Sequence, residues 1–145
     1  SGTPLSLLFL DLDHFKAIND RHGHARGDDC LREFATRLQA AFASGEELVA
    51  RLGGEEFGVL LRDTPLQQAF ERAEGFRARL AKDPMEAGAD AAVALSVSIG
   101  VAAFHPQRHH DADALYHAAD SALYVAKAAG RNRVANEGDV ASPSR

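Results

Sequence analysis

Glu47-Leu48-Val49-Ala50-Arg51-Leu52-Gly53-Gly54-Glu55-Glu56-Phe57-Gly58-Val59-Leu60-Leu61 is the most informative stretch of this chain. Two short apolar runs flank a pair of glycines that directly precede a pair of carboxylates. This pattern predicts a β-hairpin with acid at its tip. Glycine at a tip lets the backbone take positive φ and lets a ligand approach closely. The carboxylates are hard oxygen ligands, suited to Mg²⁺ and through it to phosphate. A plain solvated Gly-Gly turn fits the segment equally well. The choice depends on whether the rest of the chain supplies the other parts of a nucleotide site.

Upstream, Leu5-Ser6-Leu7-Leu8-Phe9-Leu10-Asp11 has the near-continuous apolar character of a buried central strand. It ends in Asp11-Leu12-Asp13, which places acids at the C-terminal end of a core strand. His14 to Arg21 is a short helical stretch stopped by Gly23. Leu31, Phe34, Leu38 and Ala41 fall at helical spacing within an amphipathic helix from about Ala25 to Phe42. Downstream, Thr64-Pro65-Leu66-Gln67 carries the marks of a helix start: a capping threonine, proline at the first position and a capping-box glutamine. Leu66, Ala69, Ala73, Phe76 and Leu80 continue that helix to about Ala81. Pro84 to Asp90 reads as a loop. Ala94 to Phe104 alternates as a strand, and Gly100 within it marks a bulge or a close backbone approach. Asp111 to Ala129 is a third long helix, with Leu115, Ala119, Ala122 and Ala126 on one face and Gly130 as its stop. Arg133-Val134-Ala135 is a short edge strand, and Glu137 to Arg145 is expected to fray. The predicted class is α+β, with helices packed around a mainly antiparallel sheet.

The chain has 145 residues, 46% hydrophobic and 26% charged, enough for a single domain with one substantial core. A net charge of -5 does not favour nucleic acid or an anionic membrane. The single cysteine, Cys30, cannot close an internal disulfide, which points to a reducing compartment and to a small core or boundary residue. No apolar run approaches the ~20 residues that span a bilayer, and no signal peptide is visible. Ser1-Gly2 reads as a cloning remnant, so the natural N-terminus is expected to lie elsewhere.

Asp11 and Asp13, two apart, would face the same side of a continuing strand. With Glu55 and Glu56 they offer up to four carboxylates to a divalent cation, and a two-metal site could bracket an attacking and a leaving oxygen. Asp13 reads equally well as a cap for the His14 helix. Phe15 and Lys16 stand at a helix start, where free backbone N–H groups favour phosphate. Lys127 and Arg131, four apart, share a helix face and suit a polyphosphate, or simply complement a helix C-terminus. Asn19 and Asp28 can read a purine edge, since an acid accepts from guanine N1–H and N2–H. They also fit ordinary helix-end and capping roles. His22, His24 and His109-His110 lack zinc-site spacing and read as solvated or structural.

Together these pieces resemble the GGDEF domain, the diguanylate cyclase family. Asp11 to Asp20 (Asp-Leu-Asp-His-Phe-Lys-Ala-Ile-Asn-Asp) is similar to its first motif. Gly23-His24 and Gly27-Asp28-Asp29-Cys30-Leu31 are similar to the second, and Arg51 to Phe57 is the signature loop in its Glu-Glu form. Ser96 to Ala102, Ala119 to Lys127 and Gly130 to Arg133 complete a resemblance running from about Leu5 to Val134. It implies a nucleotidyl-cyclase-like sandwich around a five-stranded sheet. It also implies conversion of two GTP to cyclic di-GMP and two pyrophosphates by a homodimer of facing half-sites. Asp11, Glu55 and the Leu12 carbonyl would hold Mg²⁺ or Mn²⁺, and Asn19 and Asp28 would read guanine. Backbone amides of His14, Phe15 and Lys16 would hold phosphates together with Lys127 and Arg131, and Gly54 would leave room for the nucleotide. Glu56 would lie near the ribose 3′-hydroxyl. Neither nucleic acid nor membrane is an expected partner, and the expected location is cytoplasmic, whatever anchors the parent protein. The alternative is a catalytically silent module that binds GTP or cyclic di-GMP.

Two departures stand out. Many family members carry an inhibitory Arg-x-x-Asp just before the signature; Ser44 and Glu47 occupy those positions here, so that product-binding site is expected to be absent. The family's leading helix and Asp-x-Leu-Thr-Gly-Leu-x-Asn-Arg segment do not precede the first strand, so this stretch is expected to be weaker or less stable than its parent.

Overall fold

Leu5–Leu12 forms β1, and its apolar run is explained by its place at the centre of a five-stranded sheet. The computed structural model describes residues 3–86 and 92–140. After β1 come α1 (Phe15–His22), α2 (His24–Ala41) and the hairpin strands β2 (Glu47–Gly53) and β3 (Glu56–Arg62). Then follow α3 (Leu66–Lys82), β4 (Val97–Ala103), α4 (Ala112–Ala128) and β5 (Arg133–Asn136). The strand order is β2-β3-β1-β4-β5. All neighbours are antiparallel except β4 and β5, which run parallel. The expected α+β sandwich is therefore present.

Alternation along the strands divides the core. Leu8, Leu10, Phe57, Val59, Ile99 and Val101 face Phe34, Leu38, Phe76 and Leu80 of α2 and α3. Phe9 and Ala102 face Leu115, Ala119 and Leu123 of α4 on the other side. Gly100 makes that second contact possible: a Cβ there would stand 2.2 Å from the Leu123 nitrogen and 2.3 Å from the Ala119 oxygen. The close approach expected at this glycine is thus the seat of α4.

Three expectations need correction. Thr64 does not cap α3. Its hydroxyl donates to the Arg62 carbonyl at 2.8 Å and its carbonyl accepts from Ser6 Oγ at 2.7 Å. These bonds turn it towards β1, and Pro65 becomes the cap. The strand expected from Ala94 starts at Val97; Ser96, just before it, accepts the Asp13 N–H at 2.9 Å and donates its hydroxyl to the Asp13 carboxylate. The tail does not leave the fold at Glu137. Glu137–Asp139 form a 3₁₀ turn closed by an Asn136–Asp139 capping box, and Glu137 bonds His109 at 3.0 Å and the Ala103 N–H at 3.2 Å. Of the Pro84–Asp90 loop, Met85 is buried and bridges Val93; 87–91 and 141–145 lie outside the described residues.

Candidate active site

The C-terminal end of β1 meets three other chain ends: the β2–β3 turn, the start of α1 and the end of α4. Strand pairing sets the first meeting. Asp11 is directly opposite Glu56, which puts their side chains on one face of the sheet. The Leu12 N–H donates to the Glu55 carbonyl at 3.2 Å, tying the hairpin tip to the strand end. The tip is shaped by Gly54 at φ 53 and held by Arg51, whose Nε donates to the Gly54 carbonyl at 2.8 Å.

A cavity of about 440 Å³ opens here. Asp11, Leu12 and Glu55 supply oxygens, and Lys16, Lys127 and Arg131 supply positive charge. The start of α1 lies between them. Its cap, His14, has φ 58 and makes no side-chain capping bond, and no acid occupies the first turn. The leading N–H groups of α1 are thus free to meet an anion. Asp11 is nearly buried, with an exposure of 8%, and forms an ion pair with Lys127. Burial pushes its carboxyl above the usual range. The hydrogen bond and charge of Lys127 oppose this, and the charges of Glu55 and Glu56 add to it. Burial and the neighbouring carboxylates therefore disfavour the ionised form, a cost that a further cation would relieve.

The donor set fits a hard divalent cation: two carboxylates and a carbonyl, all oxygen. Among the described residues no group of three or more His, Cys, Asp or Glu side chains gathers. The set thus suits an ion that takes its remaining ligands from water and substrate phosphate, as Mg²⁺ does.

The chain matches the family model described as "Diguanylate cyclase, GGDEF domain" over residues 1–133. It belongs to the GGDEF domain family. It is 42% identical over 134 residues to the diguanylate cyclase DosC of Escherichia coli K12, covering 92% of this chain and 28% of that protein. This GGDEF domain thus spans less than a third of that curated relative. Among solved structures, the GGDEF domain of DgcB from Caulobacter crescentus in complex with c-di-GMP superposes with a TM-score of 0.87. It is 31% identical, covering 95% of this chain and 80% of that one. The active GGEEF domain of a diguanylate cyclase from Vibrio cholerae gives a TM-score of 0.83 at 37% identity, covering 93% and 83%.

Of the residues singled out in sequence, the GGDEF cavity gathers Asp11, Leu12, Asp13, His14, Phe15, Lys16, Glu55, Lys127 and Arg131. Glu56 and Gly54 border it through the hairpin without lining it. Asp28 lines a separate cavity of about 320 Å³ with Leu31, Arg51 and Phe57. Asn19 packs against α2, where its Oδ1 is buried without a partner. A Cβ at Gly27 would come within 1.7 Å of that oxygen. A buried amide oxygen left unsatisfied is costly, and this one adjoins the helix that carries Asp28.

Asp13 is neither a helix cap nor an open carboxylate. Its oxygens accept from Ser96 Oγ and Ser98 Oγ, both at 2.7 Å, and from the Asn132 N–H at 3.0 Å. One signal in the sequence pointed there: Ser96 and Ser98 are alternate polar residues entering an otherwise apolar strand, and buried hydroxyls require a partner. Asp20, which also lines the cavity, carried no such signal. At the departure from the family pattern, Glu47 is sealed in. Its side chain is 1% exposed, paired with Arg72 at 2.7 Å and bonded by the Ser44 N–H and hydroxyl at 2.8 and 2.6 Å. Among the described residues, no helix is long and apolar enough to cross a membrane.

Proposed function

We propose that this domain is one half-site of a diguanylate cyclase, joining two GTP into cyclic di-GMP with release of two pyrophosphates. The observation that carries the reading is the cavity at the end of β1. There, oxygen donors from Asp11, Leu12 and Glu55 adjoin cations from Lys16, Lys127 and Arg131 and the free start of α1. Asp11, Glu55 and the Leu12 carbonyl would hold Mg²⁺ or Mn²⁺. When bound, such an ion neutralises phosphate charge and favours departure of pyrophosphate. Lys127 and Arg131, with the N–H groups of Phe15 and Lys16, bind the polyphosphate and orient its α-phosphorus. Asn19 and Asp28 read guanine, the Asp28 carboxylate accepting from N1–H and N2–H.

The ribose 3′-oxygen of one GTP attacks the α-phosphorus of the other. The new O–P bond replaces the bond to pyrophosphate, and Glu56 receives the 3′ proton. A single half-site holds one GTP, so two copies must face each other, and the homodimer is part of the mechanism. The cytoplasm, where GTP is available, is the expected location.

The experiment is incubation with GTP and Mg²⁺, with detection of cyclic di-GMP and pyrophosphate. Glu55→Gln is expected to lower turnover by roughly a hundredfold or more, as for loss of a charge-stabilising group in a reaction centre. A variant as active as the parent domain would remove Glu55 from the site. A non-catalytic nucleotide-holding module is the second reading, favoured by Glu56 lying outside the cavity lining. GTP binding without product, in this domain and in its full-length parent alike, would select it.

A further inference from the structure

We propose that Asp13, backed by Arg77, is a brace that positions Arg131 on the polyphosphate. The proposal rests on the reading of Arg131 as a phosphate ligand and extends it to Asp13, which borders the same cavity with its carboxylate already bonded, and to Arg77, which lies outside the cavity lining. The turn between α4 and β5 is unusual. Gly130, Arg131 and Asn132 all have positive φ, at 126, 65 and 47 degrees. Two successive non-glycine residues in the left-handed region are costly and persist only where the surroundings over-determine them. Arg131 lines the cavity from within this strained turn.

What holds the turn is a chain of polar contacts. Asp13 is 5% exposed and accepts the Asn132 N–H at 3.0 Å. Its carboxylate is oriented by Ser96 and Ser98 of the β4 side, each at 2.7 Å, and Ser98 is fully buried. From α3, Arg77 donates to Asn132 Oδ1 at 2.9 Å. Arg77 is itself held by both oxygens of Glu74, at 2.8 and 2.6 Å. Asn132 is therefore gripped at its backbone from the sheet and at its side chain from α3. Arg131, whose own N–H donates to the Ala126 carbonyl at 3.0 Å and whose carbonyl accepts from Arg133 Nε at 3.1 Å, is thus held between the end of α4 and the gripped Asn132. A carboxylate with three donors is satisfied as a structural acceptor, which separates Asp13 in role from Asp11 two residues earlier.

The test measures affinity for GTP and for GMP, with Mg²⁺ present, by calorimetry. GMP lacks the outer phosphates, so a loss of Arg131 reach should weaken GTP alone. Asp13→Asn is expected to weaken GTP binding by about tenfold or more, the order of one charge-assisted contact, and to leave GMP within about twofold. Asp13→Asn combined with Arg131→Ala should bind GTP no more weakly than Arg131→Ala alone, because both remove one interaction. Arg77→Ala, at the edge of the network, is expected to shift the GTP/GMP ratio in the same direction by a smaller factor. It carries the test if Asp13→Asn does not fold. An unchanged GTP/GMP ratio in the folded variants overturns the brace, as does an additive double variant. If Arg131→Ala itself leaves GTP affinity unchanged, the phosphate role of Arg131 falls and the brace with it. If Arg131→Ala weakens GTP while Asp13→Asn and Arg77→Ala do not, the brace alone is overturned.

Discussion

Gly100→Ala tests how β4 seats α4. The added Cβ would lie 2.2 Å from the Leu123 nitrogen and 2.3 Å from the Ala119 oxygen. Relaxed heavy-atom contacts need about 3.5 Å, so α4 must retreat by more than about 1 Å. Both obstacles are backbone atoms, and no side-chain rotation relieves them. Overpacking of this kind costs about 1–3 kcal/mol, and rigid neighbours place it at the upper end. Against this, alanine narrows the unfolded ensemble, a gain of about 0.5–1 kcal/mol. The clash wins, with net destabilisation of about 2 kcal/mol. For a domain of this size that corresponds to a melting temperature about 4–8 °C lower. The retreat also draws Lys127 away from Asp11, so GTP binding should weaken in the same variant. The assay is thermal and urea denaturation beside Gly75→Ala, where the site in α3 has nothing within 4 Å of the new Cβ. That control should gain up to about 1 kcal/mol from helix propensity. A Gly100→Ala protein melting within about 1 °C of the parent would refute the packing argument.

Asp11→Asn is expected to raise the melting temperature in a metal chelator at neutral pH while abolishing turnover. The folded carboxyl is raised by burial, with Lys127 only partly offsetting this and Glu55 and Glu56 adding to it. The ionised form therefore costs stability above its folded pKa, and the gain should vanish below the ordinary value of 3.8. No gain at neutral pH would contradict it. Glu47→Gln should have the opposite sign. Burial raises this carboxyl, but Ser44 and Arg72 together hold it below 4.5. Its contribution is present above 4.5 and disappears as pH falls through the lowered folded value. Urea titrations should show a deficit of about 1–3 kcal/mol at pH 7 that closes in acid; a deficit independent of pH would refute the assignment. Cyclic di-GMP is expected to inhibit turnover only weakly, because Glu47 is already paired and no arginine stands at position 44. Strong inhibition abolished by Glu47→Ala would overturn this.

Much of the architecture was legible because its signals are local. The apolar run of Leu5 to Leu10 marks a strand buried on both faces, and positions 115, 119, 122 and 126 mark one face of a helix. Where the reading slipped, a distant partner had intervened. Thr64 looks like a cap until Ser6 and Pro4 claim its backbone. Glu137 looks like the start of a loose tail until His109 and the Ala103 N–H claim its carboxylate. Contacts across tens of residues leave no periodic trace.

The same division holds at the site. Sequence alone determined the chemical types: acids at a strand end and a hairpin tip, cations at a helix end, and a motif order specific enough to name the family. Residue type and short spacing carry that information, since strand and helix periods set which neighbours share a face. Only the tertiary structure decided which acid is which. Asp11 and Asp13 are equivalent on paper and both border the cavity, yet Asp11 pairs with Lys127 while the Asp13 carboxylate is consumed by Ser96, Ser98 and Asn132. The physical reason is satisfaction of buried polar groups. A nearly buried carboxylate takes whatever donors the packing brings to it, and those donors lie 83 to 119 residues away along the chain.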